Sequence, residues 1–135
     1  MDLPDAIVLF AHGARDARWS LPLETLAATV RARAAAAGWP DPPHVPKPKV
    51  RLAFLELQAP ALAGVVDELA AAGCIRIDVL PVFWARGGHV QQDLPPLLAE
   101  LSARHPQLLL RQLPVLSELP GLIEFVADAA LRGGR

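Results

Sequence analysis

Two histidines and a glutamate set the chemistry this chain can attempt. His12 stands in "LFAHGARDARW", Glu56 in "FLELQAP" and His89 in "VFWARGGHVQQDLP". Each follows a short apolar run, yet they lie far apart in sequence, so only the fold can assemble them. Imidazoles titrate near neutral pH and bind borderline divalent metals; a carboxylate beside them can complete a site or take up protons. Taken singly, a histidine after a strand reads equally well as a packed turn residue. Three such residues, each at the end of its own apolar run, read as a site.

Their neighbours extend the list. Arg15, Arg18 and Arg86 flank the histidines and have the reach to bind carboxylates bidentately. A salt bridge, for instance Arg15 with Asp16 or Asp93, explains any one of them equally well. Gly87 and Gly88, directly before His89, let the backbone approach a large ligand without side-chain obstruction. Trp19 and Trp84 offer an apolar wall for a flat ligand, or core or interface packing. Gln58, Ser117 and Glu118 also follow strand-like runs, whereas Arg31 and Arg33 read as solvated helix residues. His44 reads as a solvated loop histidine.

Several mechanisms are excluded by what the chain lacks. "FAHGA" has the His-Gly pair of a hydrolase oxyanion loop, but no G-x-S-x-G elbow accompanies it. Ala11 stands where histidine phosphatases carry arginine. No P-loop, dinucleotide fingerprint or H-E-x-x-H run is present. Net charge is -1, with no basic stripe for nucleic acid or a membrane surface. The single cysteine, Cys74, cannot form an internal disulfide and reads as a small core residue.

The elements that must position these residues are legible. "AIVLF" (6–10), "VRLAFL" (50–55), "IRIDVLPVF" (75–83) and "LLLRQLPV" (108–115) read as strands buried on both faces. The third is expected to pair only to Leu80, since Pro81 cannot donate to a ladder. Helical patterns alternate with them. "LPLETLAATVRARAAAA" stops at Gly38, "APALAGVVDELAAAG" at Gly73 and "DLPPLLAELSARHP" before Pro106; "ELPGLIEFVADAAL" closes the series. The order βαβαβαβα predicts a parallel α/β sheet with right-handed crossovers, whose site lies beyond the carboxyl ends of its strands. A stiff loop with five prolines, Pro40 to Pro48, interrupts this order.

At 135 residues, 53% of them hydrophobic, the chain is expected to be one domain, 1–135, with a filled core. The N-terminus lacks a signal peptide's basic region and long apolar run, and no run of about 20 apolar residues could span a membrane. A cytoplasmic protein with a frayed "LRGGR" tail is the expectation.

The residues "LFAHGARD", "FLELQAPAL" and "LPVFWARGGHVQQDLP" together resemble the small sirohydrochlorin chelatases of the CbiX type, class II chelatases independent of ATP. The likeness covers nearly the whole chain, in order. It implies a chelatase-like, flavodoxin-like three-layer domain with a four-stranded parallel sheet. It also implies insertion of Co2+, Fe2+ or Ni2+, as substrate, into sirohydrochlorin for cobalamin or sirohaem, with no organic cofactor. By motif, His12 and His89 would bind metal and handle pyrrole protons, Glu56 would assist, and Arg15, Arg86, Gly87 and Gly88 would face the tetrapyrrole carboxylates and ring. Ala14 replaces the serine of the family's usual His-Gly-Ser-Arg. A chain this short supplies half a cleft, so a homodimer is implied, with neither nucleic acid nor membrane as partner. A non-catalytic metal or tetrapyrrole carrier is the competing reading. A flavodoxin-like regulatory domain is disfavoured, because its first loop would be rich in Ser and Thr.

Overall fold

A computed structural model describes residues 3–38 and 50–133; the five-proline loop, His44 and the last two residues lie outside them. Four strands alternate with four helices: β1 (Ala6–Ala11), α1 (Leu21–Ala36), β2 (Val50–Phe54), α2 (Leu62–Ala71), β3 (Arg76–Pro81), α3 (Gly88–Arg104), β4 (Leu109–Gln112) and α4 (Leu122–Leu131). One-turn 3-10 helices at Ala17–Ser20 and Leu116–Glu118 precede α1 and α4. The sheet is parallel throughout, in the order β2-β1-β3-β4. The expected α/β architecture is therefore the one observed.

The alternation of side chains along β1 explains its central place. Ala6, Val8 and Phe10 join Ala53, Ile77 and Val79 in a core that α2 and α3 complete with Val65, Val66, Leu94 and Leu101. Leu9 packs the other way, with Ala27 of α1 and Val50. Burying a Leu or Val side chain is worth roughly 1.5–3 kcal/mol. The helix stops act locally. After α2, Gly73 takes φ +98°, its N–H donates to the Ala70 carbonyl, and the Cys74 N–H donates to Leu69. This paired closure needs a left-handed residue that glycine supplies without strain. It also delivers Cys74, 1% exposed, into the core as expected.

Three expectations are corrected. β3 continues through Pro81, which registers with Phe10, and the Val82 N–H donates to the Phe10 carbonyl at 2.7 Å. Successive residues of a parallel strand point their N–H groups to opposite neighbours. The missing Pro81 donor thus falls on the β4 side, where β4 pairing has ended at Gln112. Secondly, α3 starts at Gly88, five residues before the expected Asp93, leaving Pro95 and Pro96 inside the helix rather than in its first turn. Thirdly, β4 is not buried on both faces: Leu109 is 65% exposed, and Arg111 and Gln112 are exposed as well.

Candidate functional site

The carboxyl ends of β1, β2 and β3 lie side by side, and their ladders continue past the strands. The Leu55 N–H donates to the Ala11 carbonyl (2.8 Å) and the Glu56 N–H to the His12 carbonyl (3.0 Å). Backbone pairing therefore sets Glu56 beside His12. Their side chains follow, with His12 Nε2 3.7 Å from Glu56 Oε1, both about half exposed. That separation is too long for a hydrogen bond. It does suit two ligands of one divalent ion, since metal bonds of about 2.1 Å to each span it at an angle of roughly 120°. The His12 ring also leans on Phe83, with centroids 6.3 Å apart, and Phe83 in turn packs on Phe10.

Two features hold the loops of β1 and β2 together. Gly13, at φ +100°, lies so close to the β2 loop that a Cβ there would stand 1.9 Å from the Glu56 carbonyl oxygen. Only glycine fits. The Gln58 side-chain oxygen accepts the Ala14 N–H at 2.8 Å, a strap between the two loops. The loop itself is closed by the Phe54 N–H donating to the Pro60 carbonyl. Within it Leu57 takes φ +67°, a left-handed conformation costly for a branched side chain, and is 54% exposed. In the sequence Gln58 is one more polar residue after β2, and nothing marks Leu57 as unusual beyond its place between two polar residues.

His89 is the second residue of α3, which begins directly beyond β3, the strand adjacent to β1; its side chain lies outside the described residues. Gly87 and Gly88 are exposed, with open space around each Cα, at the start of that helix. Among the described residues no three His, Cys, Asp or Glu side chains gather as a metal site. His12 and Glu56 form a pair, and a third protein ligand would come from a side chain outside that set.

The arginines separate. Arg15 is exposed in the loop after β1, three residues beyond His12. Asp16 is taken by Arg18, through bonds of 2.8–3.2 Å, and not by Arg15; this pairing holds the Asp16 carboxyl below its usual range. Arg86 contacts Glu118 at 2.7 Å, which raises its guanidinium pKa further and ties the β3 loop to the turn before α4. Ser117 joins that tie through its backbone, its N–H donating to the Trp84 carbonyl. Arg31, expected to be solvated, donates to the Val50 carbonyl. Trp19 and Trp84 are 42% and 53% exposed, so neither is core. Together with Leu57 they put a large exposed apolar side chain on each of the three rim loops.

Comparison with known proteins gives one family. The CbiX family model matches residues 6–132. A sirohydrochlorin cobaltochelatase from Methanothermobacter thermautotrophicus is 39% identical over 49 residues, 36% of this chain and 34% of that one. The same-named protein of Saccharolobus solfataricus matches at 39% over 49 residues, 38% of its length. The match thus spans little more than a third of these curated relatives. Among solved structures, the CbiX protein from Marinobacter aquaeolei VT8 superposes with a TM-score of 0.74 and 27% identity, covering 96% of this chain and 97% of that one. The sirohydrochlorin chelatase SirB from Bacillus subtilis subspecies spizizenii, in complex with cobalt, shares the fold at TM-score 0.66 and 22% identity. There 96% of this chain matches 51% of the longer one. SirB from Bacillus subtilis with Fe3+ gives 0.65 and 20%, over 48% of its length.

Proposed function

Since the chain belongs to the CbiX family, we propose that it is an ATP-independent chelatase inserting divalent cobalt or iron into sirohydrochlorin, for cobalamin or sirohaem. The observation that carries this reading is the His12–Glu56 pair, 3.7 Å apart and half exposed at the carboxyl rim of the sheet. The relatives' names, and the cobalt and Fe3+ of the two SirB structures, support it.

Insertion exchanges one M2+ for two pyrrole protons, so the site must hold an ion loosely, strip its water and accept protons. Imidazole and carboxylate do this without trapping the ion as thiolate would. In this reading His12 and His89 bind the metal substrate, Co2+, Fe2+ or Ni2+, and no organic cofactor takes part. Glu56 shares the ion or receives a proton. The exposed Trp19, Leu57 and Trp84 give a flat macrocycle apolar support, and Gly87 and Gly88 leave its approach clear. Arg15 meets its carboxylates directly, and Arg86 does so by exchanging Glu118 for a substrate carboxylate of equal charge.

The working unit is a homodimer, because one chain presents a single rim to a ligand with two faces. A cytoplasmic setting accords with a chain whose single cysteine, Cys74, is buried in the core. No described helix is long and apolar enough to cross a membrane.

The test is an anaerobic absorbance assay with sirohydrochlorin and Co2+, Fe2+ or Ni2+ in separate cuvettes, each against a protein-free control. Multiple-turnover growth of the metallated spectrum is expected, and relative kcat/KM ranks the metals. A stoichiometric shift without acceleration would make the protein a carrier.

A further inference from the structure

Of the charged pairs at the rim, Arg86–Glu118 joins segments far apart in sequence, whereas Arg18 is held by Asp16, two residues away. The contact is two-pronged. Arg86 Nε lies 2.7 Å from Glu118 Oε2, and Nη2 donates to Oε1 at 2.9 Å. This is the fork in which a guanidinium holds any carboxylate, including one on a ligand. Both side chains still meet water, Arg86 62% and Glu118 39% exposed. An exposed pair shifts an equilibrium by only about two- to fivefold, so this one opens readily.

Backbone keeps Glu118 in place when it does. Val115, buried in the core, anchors the turn Leu116–Glu118, and the Glu118 N–H donates to its carbonyl. The Leu116 N–H donates to the Phe83 carbonyl and the Ser117 N–H to the Trp84 carbonyl, each at 2.9 Å. The turn is thus laced along the β3 loop, whose Phe83 ring also supports His12. Glu118 stays opposite Arg86 through bonds that use neither side chain.

Release of product makes such a pair useful. Metal insertion exchanges two protons for one M2+ at the centre of the macrocycle and leaves its peripheral carboxylates unchanged. A guanidinium that grips one of them holds substrate and product alike. Such uniform binding lowers KM without speeding the chemistry, and it slows departure of the product.

We propose that Glu118 is a resident competitor for Arg86 that hastens release of the carboxylated macrocycle. A substrate carboxylate displaces Glu118 from Arg86 on entry, and Glu118 displaces the product carboxylate on exit. This rests on the chelatase reading above and gives Glu118 a part in it. Tied by its backbone, the displaced side chain remains at high effective concentration beside the guanidinium. One guanidinium neutralises one carboxylate, so a second carboxylate on its free edge would leave a negative charge unbalanced. Exchange keeps the local charge constant at each stage.

The test measures release rather than insertion, on the full chain. Stopped-flow tryptophan fluorescence, with Trp84 two residues from Arg86 as a reporter, follows dissociation of sirohydrochlorin and of its cobalt form. Glu118→Gln should slow the release of both by about two- to fivefold and lower Kd by the same factor. In the Arg86→Gln protein the same substitution should have no such effect. A gain that persists there would trace to the lost negative charge alone and overturn the exchange. Release as fast as wild type or faster in Glu118→Gln would make the pair a structural brace; it would overturn the proposal and leave the chelatase reading standing. A wild type that binds neither form would overturn both. A wild type that binds but never inserts metal would lose the chelatase reading, and its release rates would still decide the role of Glu118.

Discussion

At the scale of single residues, the pair His12–Glu56 is built by backbone and only finished by side chains. Glycine at position 13 is what lets the two loops touch. Gly13→Ala places a methyl 1.9 Å from a carbonyl oxygen in a left-handed conformation. We expect a loss of about 2–4 kcal/mol in urea unfolding, from overlap and strain together, with metal affinity falling because Glu56 moves. An unchanged unfolding midpoint would show that the loops tolerate separation. For the chemistry, Glu56→Gln should slow insertion on the order of a hundredfold while tetrapyrrole binding stays within severalfold. The reverse pattern in paired rate and binding titrations would make Glu56 a binding residue. His12→Ala and His89→Ala should each abolish insertion with the fold intact, and wild-type turnover in either would remove that residue from the site.

At the scale of elements, two connections matter. Gln58 ties the β2 loop to the β1 loop through the Ala14 N–H. Gln58→Ala removes a hydrogen bond worth about 1 kcal/mol and should lower kcat several-fold, with Gln58→Glu, which retains an acceptor, recovering most of it. Equal loss in both variants would argue against the strap. At the other end of the sheet from the rim, Asp67 of α2 accepts from His105 (2.6 Å) and from Arg104 (2.8 Å) at the end of α3. The His105 bond first, and Arg104 after it, hold the Asp67 carboxyl below its ordinary value. A depressed folded pKa means stabilisation that is present above the ordinary aspartate pKa, about 4, and is lost as pH falls through the folded value. Asp67 is 41% exposed, so the effect is small and weakens with salt. The urea midpoint of the wild type should therefore fall more steeply below about pH 4 than that of Asp67→Asn. Parallel curves would show that the clasp contributes nothing.

At the scale of the molecule, the two sides of the sheet are unequal. One is closed by α2 and α3 over a continuous core; the other is closed only where α1 lies. If the chain works as the dimer proposed, native stability includes association, and the thermal midpoint should rise with protein concentration. A midpoint constant over a hundredfold range of concentration would mean that each chain is stable by itself.

What the sequence determined alone was the local part. Strand and helix order, the stops at Gly38 and Gly73 and the burial of Cys74 were legible because periodicity and left-handed glycines act over a few residues. The rim positions of His12, Glu56 and His89 were legible for a related reason: in a parallel sheet, whatever follows a strand stands at the same edge as whatever follows its neighbour. Helix starts were less so. Gly87 and Gly88, which read as access for a ligand, hid the opening of α3, because a helix held by packing does not need a strong local signal. The tertiary structure alone decided what depends on register and on surfaces from distant segments. That part comprises the 3.7 Å between His12 and Glu56, the Gln58 strap, the harmlessness of Pro81 and the pairing of Arg86 with Glu118. It also decided that an apolar run such as β4 lies open on a face. Apolar residues state that a surface seeks cover, but which surface provides it is a property of three-dimensional neighbours that no spacing in the chain encodes.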